Sequence, residues 1–101
     1  MPRVDQLKAM LAKEPDDLFL NFSLAMELAK TEQHEACLAQ FARVLELNPD
    51  YVAAHFHKGK TLLKMRRMEE AKAALQEGIA AAGRCGDHHA ESQMKQLLEA
   101  M

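Results

Sequence analysis

The sequence predicts an all-α fold of about six short helices in antiparallel pairs, and three observations carry that prediction. Among 101 residues, Ala (17), Leu (14) and Met (7) dominate, whereas Val, Ile and Thr together supply only 6. Small and unbranched side chains keep their freedom in a helix, and the β-branched residues that suit strands are nearly absent. Apolar residues also recur at helical spacing, and the chain matches itself at a shift of 34 residues. One domain fits this length, and it can bury a useful core without disulfide or metal staples.

The self-similarity runs the length of the chain. At the 34-residue shift Glu14-Pro15-Asp16-Asp17 falls on Asn48-Pro49-Asp50-Tyr51, Leu7 on Phe41, Met10 on Val44 and Leu11 on Leu45. A second shift carries these three to Leu75, Gly78 and Ile79, with Gly83 in place of the proline. Ala25 falls on Gly59, Leu28 on Leu62 and Cys37 on Ala71. Most of these pairs set small on small, apolar on apolar or breaker on breaker.

The elements follow in order. The first helix is expected at 3–13 and ends before Pro15, which cannot continue it. The second, 17–30, is capped by Asp16 or Asp17 and pairs Leu24 with Leu28. The third, 34–47, sets Cys37, Leu38, Phe41, Val44 and Leu45 on one face and stops at Pro49. The fourth, 51–65, is capped by Asp50, and the fifth, 68–82, repeats the apolar stripe through Ala71, Ala74, Leu75, Gly78 and Ile79. Gly83 and Gly86 are breakers that end it. The sixth, 87–100, is capped by Asp87 and is expected to bury Ala90, Met94, Leu97, Leu98 and Met101. Connections of a few residues make neighbouring helices antiparallel.

The pattern resembles the tetratricopeptide repeat, a helix–turn–helix unit with a 34-residue period. The resemblance implies a right-handed superhelical stack of hairpins forming a single domain over 1–101. Its parts are a half-repeat helix at 3–14, one repeat at 18–51, a second at 52–85, and a capping helix at 87–100. Ala25 and Gly59, opposite Cys37 and Ala71, let the paired helices approach closely. Asn48-Pro49-Asp50 matches the family's turn between repeats. The departures are Asn21 and His55 where the family has a large aromatic, Leu28 and Leu62 where it has tyrosine, and Gly83 where it has proline.

Little in the sequence suits catalysis. Neither Ser23 nor Ser92 lies in a nucleophile elbow, and no glycine-rich phosphate loop or dinucleotide fingerprint is present, so no enzyme activity and no cofactor are expected. His55 and His57 point about 200° apart on a helix, and Cys85, His88 and His89 lack a distant ligand pair, so no metal site is expected. Cys37 and Cys85 read as two reduced thiols, Cys37 at a close helix contact. The N-terminus has no apolar core of a signal peptide, and the longest apolar run, Ile79 to Ala82, is far short of the ~20 residues of a membrane span. A cytoplasmic protein without membrane attachment is expected.

Charge is unevenly placed. The formal net charge is −2, yet residues 51–67 carry Lys58, Lys60, Lys64, Arg66 and Arg67 and no acid. Lys64, Arg66 and Arg67 suit a helix C-terminus, and Glu69 and Glu70 suit the start of the next helix; Lys58 and Lys60 are not explained that way. A nucleic-acid surface is not expected, because the chain is acidic overall and has no aromatic platform.

By resemblance, the first helix of each repeat lines a concave groove that holds a peptide segment of a partner protein. Phe19, Phe22, Met26 and Lys30 line it from one repeat, and Phe56, His57, Lys60, Leu63 and Lys64 from the other. The family's carboxylate-gripping version needs Lys and Asn where this chain has Phe22 and Met26, so that version is not expected. The surface suits a peptide with apolar anchors and a nearby acidic group. The alternative is structural: these aromatics pack internally, or the chain forms a homodimer through exposed helix faces or serves as an accessory scaffold subunit. Leu7, Met10 and Leu11 make the N-terminal helix the expected dimer contact.

Overall fold

The computed structural model describes residues 3–101, all α-helix and turn: α1 (Arg3–Lys13), α2 (Leu18–Lys30), α3 (His34–Leu47), α4 (Val52–Lys64), α5 (Met68–Cys85) and α6 (His88–Glu99). The chain divides into two compact units, residues 1–48 and 49–101. In the first, α1 packs on α2 and α2 on α3; in the second, α4 packs on α5, α5 on α6, and α4 touches α6.

In the first unit, Leu7, Leu24, Ala25, Leu28, Cys37, Phe41 and Val44 are buried. Ala25 and Cys37 are both wholly excluded from solvent, as expected where small side chains let helices approach. Asp17 caps α2, its carboxylate accepting from the Leu20 N–H at 2.8 Å. On α1, Leu7 is buried and Leu11 half-buried, but Met10 is 49% exposed, although Val44, one period later, is fully buried.

The second unit is centred on Leu75, Ala82 and Met94, against which Val52, Phe56, Leu63, Ile79, Ala90, Leu97 and Leu98 pack while partly exposed. Close approach is enforced at two glycines. A Cβ at Gly59 would lie 2.6 Å from Leu75 Cδ2, and one at Gly78 would lie 2.5 Å from Met94 Sδ and 2.8 Å from His55 Cβ. Leu75 and Met94 are fully buried and have no room to retreat.

Three local expectations are corrected. The fifth helix does not stop at 82: Gly83 is helical and α5 runs to Cys85, where Gly86 takes φ 71°. Asp50 does not cap α4; the Tyr51 position makes no side-chain cap, and Asp50 instead accepts from Arg84 Nη2 at 2.6 Å. Met101 is 46% exposed rather than buried with Met94. Asp87 does cap α6, accepting from the Ala90 N–H at 3.1 Å.

The turns inside the hairpins share one solution. Glu32 and Arg66, one period apart, both have φ 59°. The following N–H reaches back five residues, Gln33 to the Leu28 carbonyl at 2.9 Å and Arg67 to the Leu62 carbonyl at 3.0 Å. Asp87 does the same to Ala82 at 2.9 Å, past Gly86. These bonds satisfy carbonyls at the helix ends. Left-handed backbone at a non-glycine residue costs about 1–2 kcal/mol, which the closed turn offsets.

A paired substitution checks the role of the close contact. Gly59→Leu is expected to lower unfolding free energy by about 2–3 kcal/mol through overpacking against Leu75. Gly83→Ala, where a Cβ meets only Glu91 Oε2 at 3.5 Å, should raise it by about 0.5–1 kcal/mol through helix propensity. Urea unfolding followed by circular dichroism measures both.

Candidate functional site

The residues expected to line a groove lie on the first helix of each repeat and are taken unit by unit. On α2, Phe19, Phe22, Met26 and Lys30 are spaced to share one stripe. Phe19 is 69% exposed. Phe22 is half-buried, its ring tilted 52° against Phe41 with centroids 6.2 Å apart, so part of it belongs to the hairpin contact. Met26 is half-buried and Lys30 exposed at the helix end.

On α4 the arrangement is tighter. Phe56 is half-buried and lies between two neighbours: His57, ring centroids 5.3 Å apart, and Lys60, whose Nζ is 5.1 Å from the Phe56 centroid. A cation over an aromatic face is worth about 0.5–1 kcal/mol at an exposed position, and it holds the Lys60 head beside the ring. Leu63 packs on the core of the second unit, and Lys64 is exposed.

Phe56 and Lys60 line one wall of a cleft of about 270 Å³, and α6 supplies the other wall with Gln93, Gln96 and Leu97. The floor is apolar, from Phe56 and Leu97, and the rim offers two carboxamides and an ammonium. Such a set has room for an apolar side chain and offers amide donors and acceptors beside it. It contains no nucleophile–base pair, and among the described residues no three of His, Cys, Asp and Glu converge as metal ligands.

The α6 contribution was not anticipated in the sequence. Leu97 falls one period after Leu63, so the repeat carries a signal for it. Gln93 and Gln96 fall on Gly59 and Leu62 and carry no such cue.

Two polar side chains replace the family's aromatic and have a shared task. Asn21, buried, donates from Nδ2 to the Pro15 carbonyl at 3.1 Å and to the Asp17 carbonyl at 2.8 Å, and its Oδ1 accepts from Gln40 Nε2. His55, one period on and 5% exposed, donates from Nε2 to the Pro49 carbonyl at 2.8 Å. The carbonyl can only accept, so the proton sits on Nε2, and Nδ1 is buried without a partner. Ala74 stands where the first repeat has Gln40, which accounts for the missing donor. His55 is thus a positioning residue for the turn and not a groove ligand.

The cationic character of α4 persists in three dimensions. Arg67 pairs with Glu70 at 2.8 Å. Lys58, Lys60, Lys64 and Arg66 form no ion pair among the described residues. In Arg84 the hydrogen bond to Asp50, and then its charge, raise the pKa further above its ordinary value. His57 is shifted the other way: burial first, and the Lys60 charge second, lower its pKa from the ordinary histidine value of 6.5. At neutral pH His57 is therefore a neutral imidazole beside Phe56.

Comparison with known proteins agrees with this architecture. The tetratricopeptide repeat family model matches residues 28–99. A TPR repeat-containing protein of Pseudomonas aeruginosa, PA0015, is 30% identical over 95 residues, covering 94% of this chain and 90% of that protein. The solution structure of BPP2914 from Bordetella parapertussis superposes with a TM-score of 0.87 at 31% identity, covering 99% of this chain and 87% of that one. The TPR2B domain of yeast Sti1, determined as a complex with pHsp70, has a TM-score of 0.87 at 19% identity over 95% of this chain and 77% of that one, a likeness of fold alone. Among the described residues no helix is long and apolar enough to cross a membrane.

The His57 shift has a direction that can be measured. A native pKa below the unfolded value means the unfolded chain binds the proton more readily. The contribution of His57 is complete above about pH 6.5 and is lost as pH falls through that value towards its lower native midpoint. The wild type should therefore lose more stability than His57→Gln between pH 7.5 and pH 5.5 in urea unfolding. NMR titration of the imidazole should give a midpoint below 6.5.

Proposed function

Because the chain belongs to the tetratricopeptide repeat family, whose repeats mediate protein–protein interaction, we propose that it is a non-catalytic module binding a peptide segment of a partner protein. The cleft between α4 and α6 is the seat. An apolar side chain of the peptide enters between Phe56 and Leu97, and Gln93 and Gln96 bond its backbone. An acidic residue flanking that anchor meets Lys60 and Lys64.

The observation that carries this reading is the pairing of an apolar cleft with cations, Lys60 and Lys64, that form no ion pair among the described residues. Placing charge beside an apolar floor without a counter-ion leaves a surface whose best complement is an acidic, partly apolar chain. The Sti1 TPR2B complex with pHsp70 supports the reading by showing this fold with a bound partner. The ammonium groups are exposed, so their attraction steers the partner and is screened by salt, and the apolar anchor supplies the specificity. A cleft this small fits weak, transient binding.

An immobilised array of 12-residue peptides tests it. Peptides combining an aromatic or aliphatic anchor with Asp or Glu within three residues are expected to bind, more weakly as salt rises. Phe56→Ala with Lys60→Glu should reduce that binding at least tenfold while the helical circular dichroism signal stays intact. Equal binding by the double variant would reject the cleft.

A further inference from the structure

A second cleft, on the other side of α6, has a different character. It lies between the start of α5 and the end of α6, measures about 570 Å³, and has Met68, Leu98, Ala100 and Met101 in its apolar lining, with Glu69 and Lys72 beside them. Met68 and Met101 are each 46% exposed, and together they are two of the four large apolar side chains so exposed among the described residues. Thioether side chains of this length reshape to fit an opposing surface.

The two charges decide what that surface is. Glu69 and Lys72 are three apart on one helix, where opposite charges readily meet, yet neither makes an ion pair with any described residue. Glu70, next to Glu69, is already bound by Arg67. Among the described residues, one anionic and one cationic side chain without an ion-pair partner thus flank an apolar floor, and their side-chain charges cancel. A strongly acidic or strongly basic partner would satisfy one of them and repel the other. A copy of the same patch, turned by 180°, satisfies both, since Lys72 faces the second copy's Glu69 and Glu69 faces the second copy's Lys72. Isologous contacts are self-complementary in this sense.

We propose that two copies of the chain associate about a twofold axis through the α5–α6 cleft, with Met68, Leu98 and Met101 at the centre and reciprocal Glu69–Lys72 pairs at the rim. The contact sits at the low end of specific interfaces, so dimer forms as concentration rises and dissociates on dilution. It leaves the α4–α6 cleft open, and peptide binding there is a separate property.

Sedimentation velocity of the full chain from about 10 μM to about 1 mM at low salt tests the pairing. The wild type should shift from monomer to dimer across that range. Met68→Glu with Met101→Glu should weaken the dimer at least tenfold, both positions being exposed enough to leave the fold intact by circular dichroism. Glu69→Lys and Lys72→Glu should each weaken it about threefold to tenfold through like-charge contact. The charge-swapped double variant should return to within about twofold of wild type, and an equimolar mixture of the two single variants should pair better than either alone. A chain monomeric at 1 mM overturns the proposal. So does a dimer indifferent to the methionine changes, or single charge variants that the swap and the mixture fail to rescue.

Discussion

Everything in the second unit depends on two helix contacts too close for a side chain. At Gly59 and Gly78 the space a Cβ would take is already occupied by Leu75 and by Met94 and His55. Those contacts draw α4 onto α5 and α5 onto α6, and the shared core of Leu75, Ala82 and Met94 fills between them. Once α4 and α6 are both tied to α5, Phe56 and Leu97 come to face one cleft. The cleft is therefore a consequence of packing beneath it and needs no loop or moving part.

A polar device holds the approach to each repeat. Asn21 and His55 both donate to the carbonyl of the proline six residues earlier, Pro15 and Pro49. Proline leaves its own carbonyl available and contributes no N–H, so a buried side-chain donor is the natural partner. The acid after the proline is used too: Asp16 pairs with Arg43 in the first unit and Asp50 with Arg84 in the second. These exposed pairs add little energy but orient the turn. A phenylalanine at 21 or 55 has no donor and would leave the proline carbonyl without one.

Charge then separates the surfaces of the second unit. Among the described residues the α4 cations have no acid partner, whereas Glu69 and Lys72 at the start of α5 lack ion-pair partners beside exposed Met68 and Met101. A surface of one sign complements the other sign, and a neutral mixed patch can complement its own image. Burial of His57 beside Lys60 keeps the imidazole neutral near pH 7, so the positive field at the first surface comes from lysine alone.

The period of 34 and the helical spacing of apolar residues were enough to place all six helices and to match Ala25 with Gly59 and Phe41 with Leu75. Short acceptors just before helical runs marked Asp16 or Asp17, and Asp87, as caps, and Asp17 and Asp87 do cap, because these features are set by local backbone geometry. Only the tertiary structure showed that α5 continues through Gly83, that Glu32 and Arg66 take left-handed turns without being glycine, and that Asp50 serves Arg84 and does not cap α4. It alone brought Gln93, Gln96 and Leu97 of α6 opposite Phe56 and Lys60, and left Met101 exposed beside Met68. A repeating pattern states which face of a helix is apolar. Which residues of two distant helices meet depends on how far each helix runs and where it crosses its neighbour, and that is decided by packing.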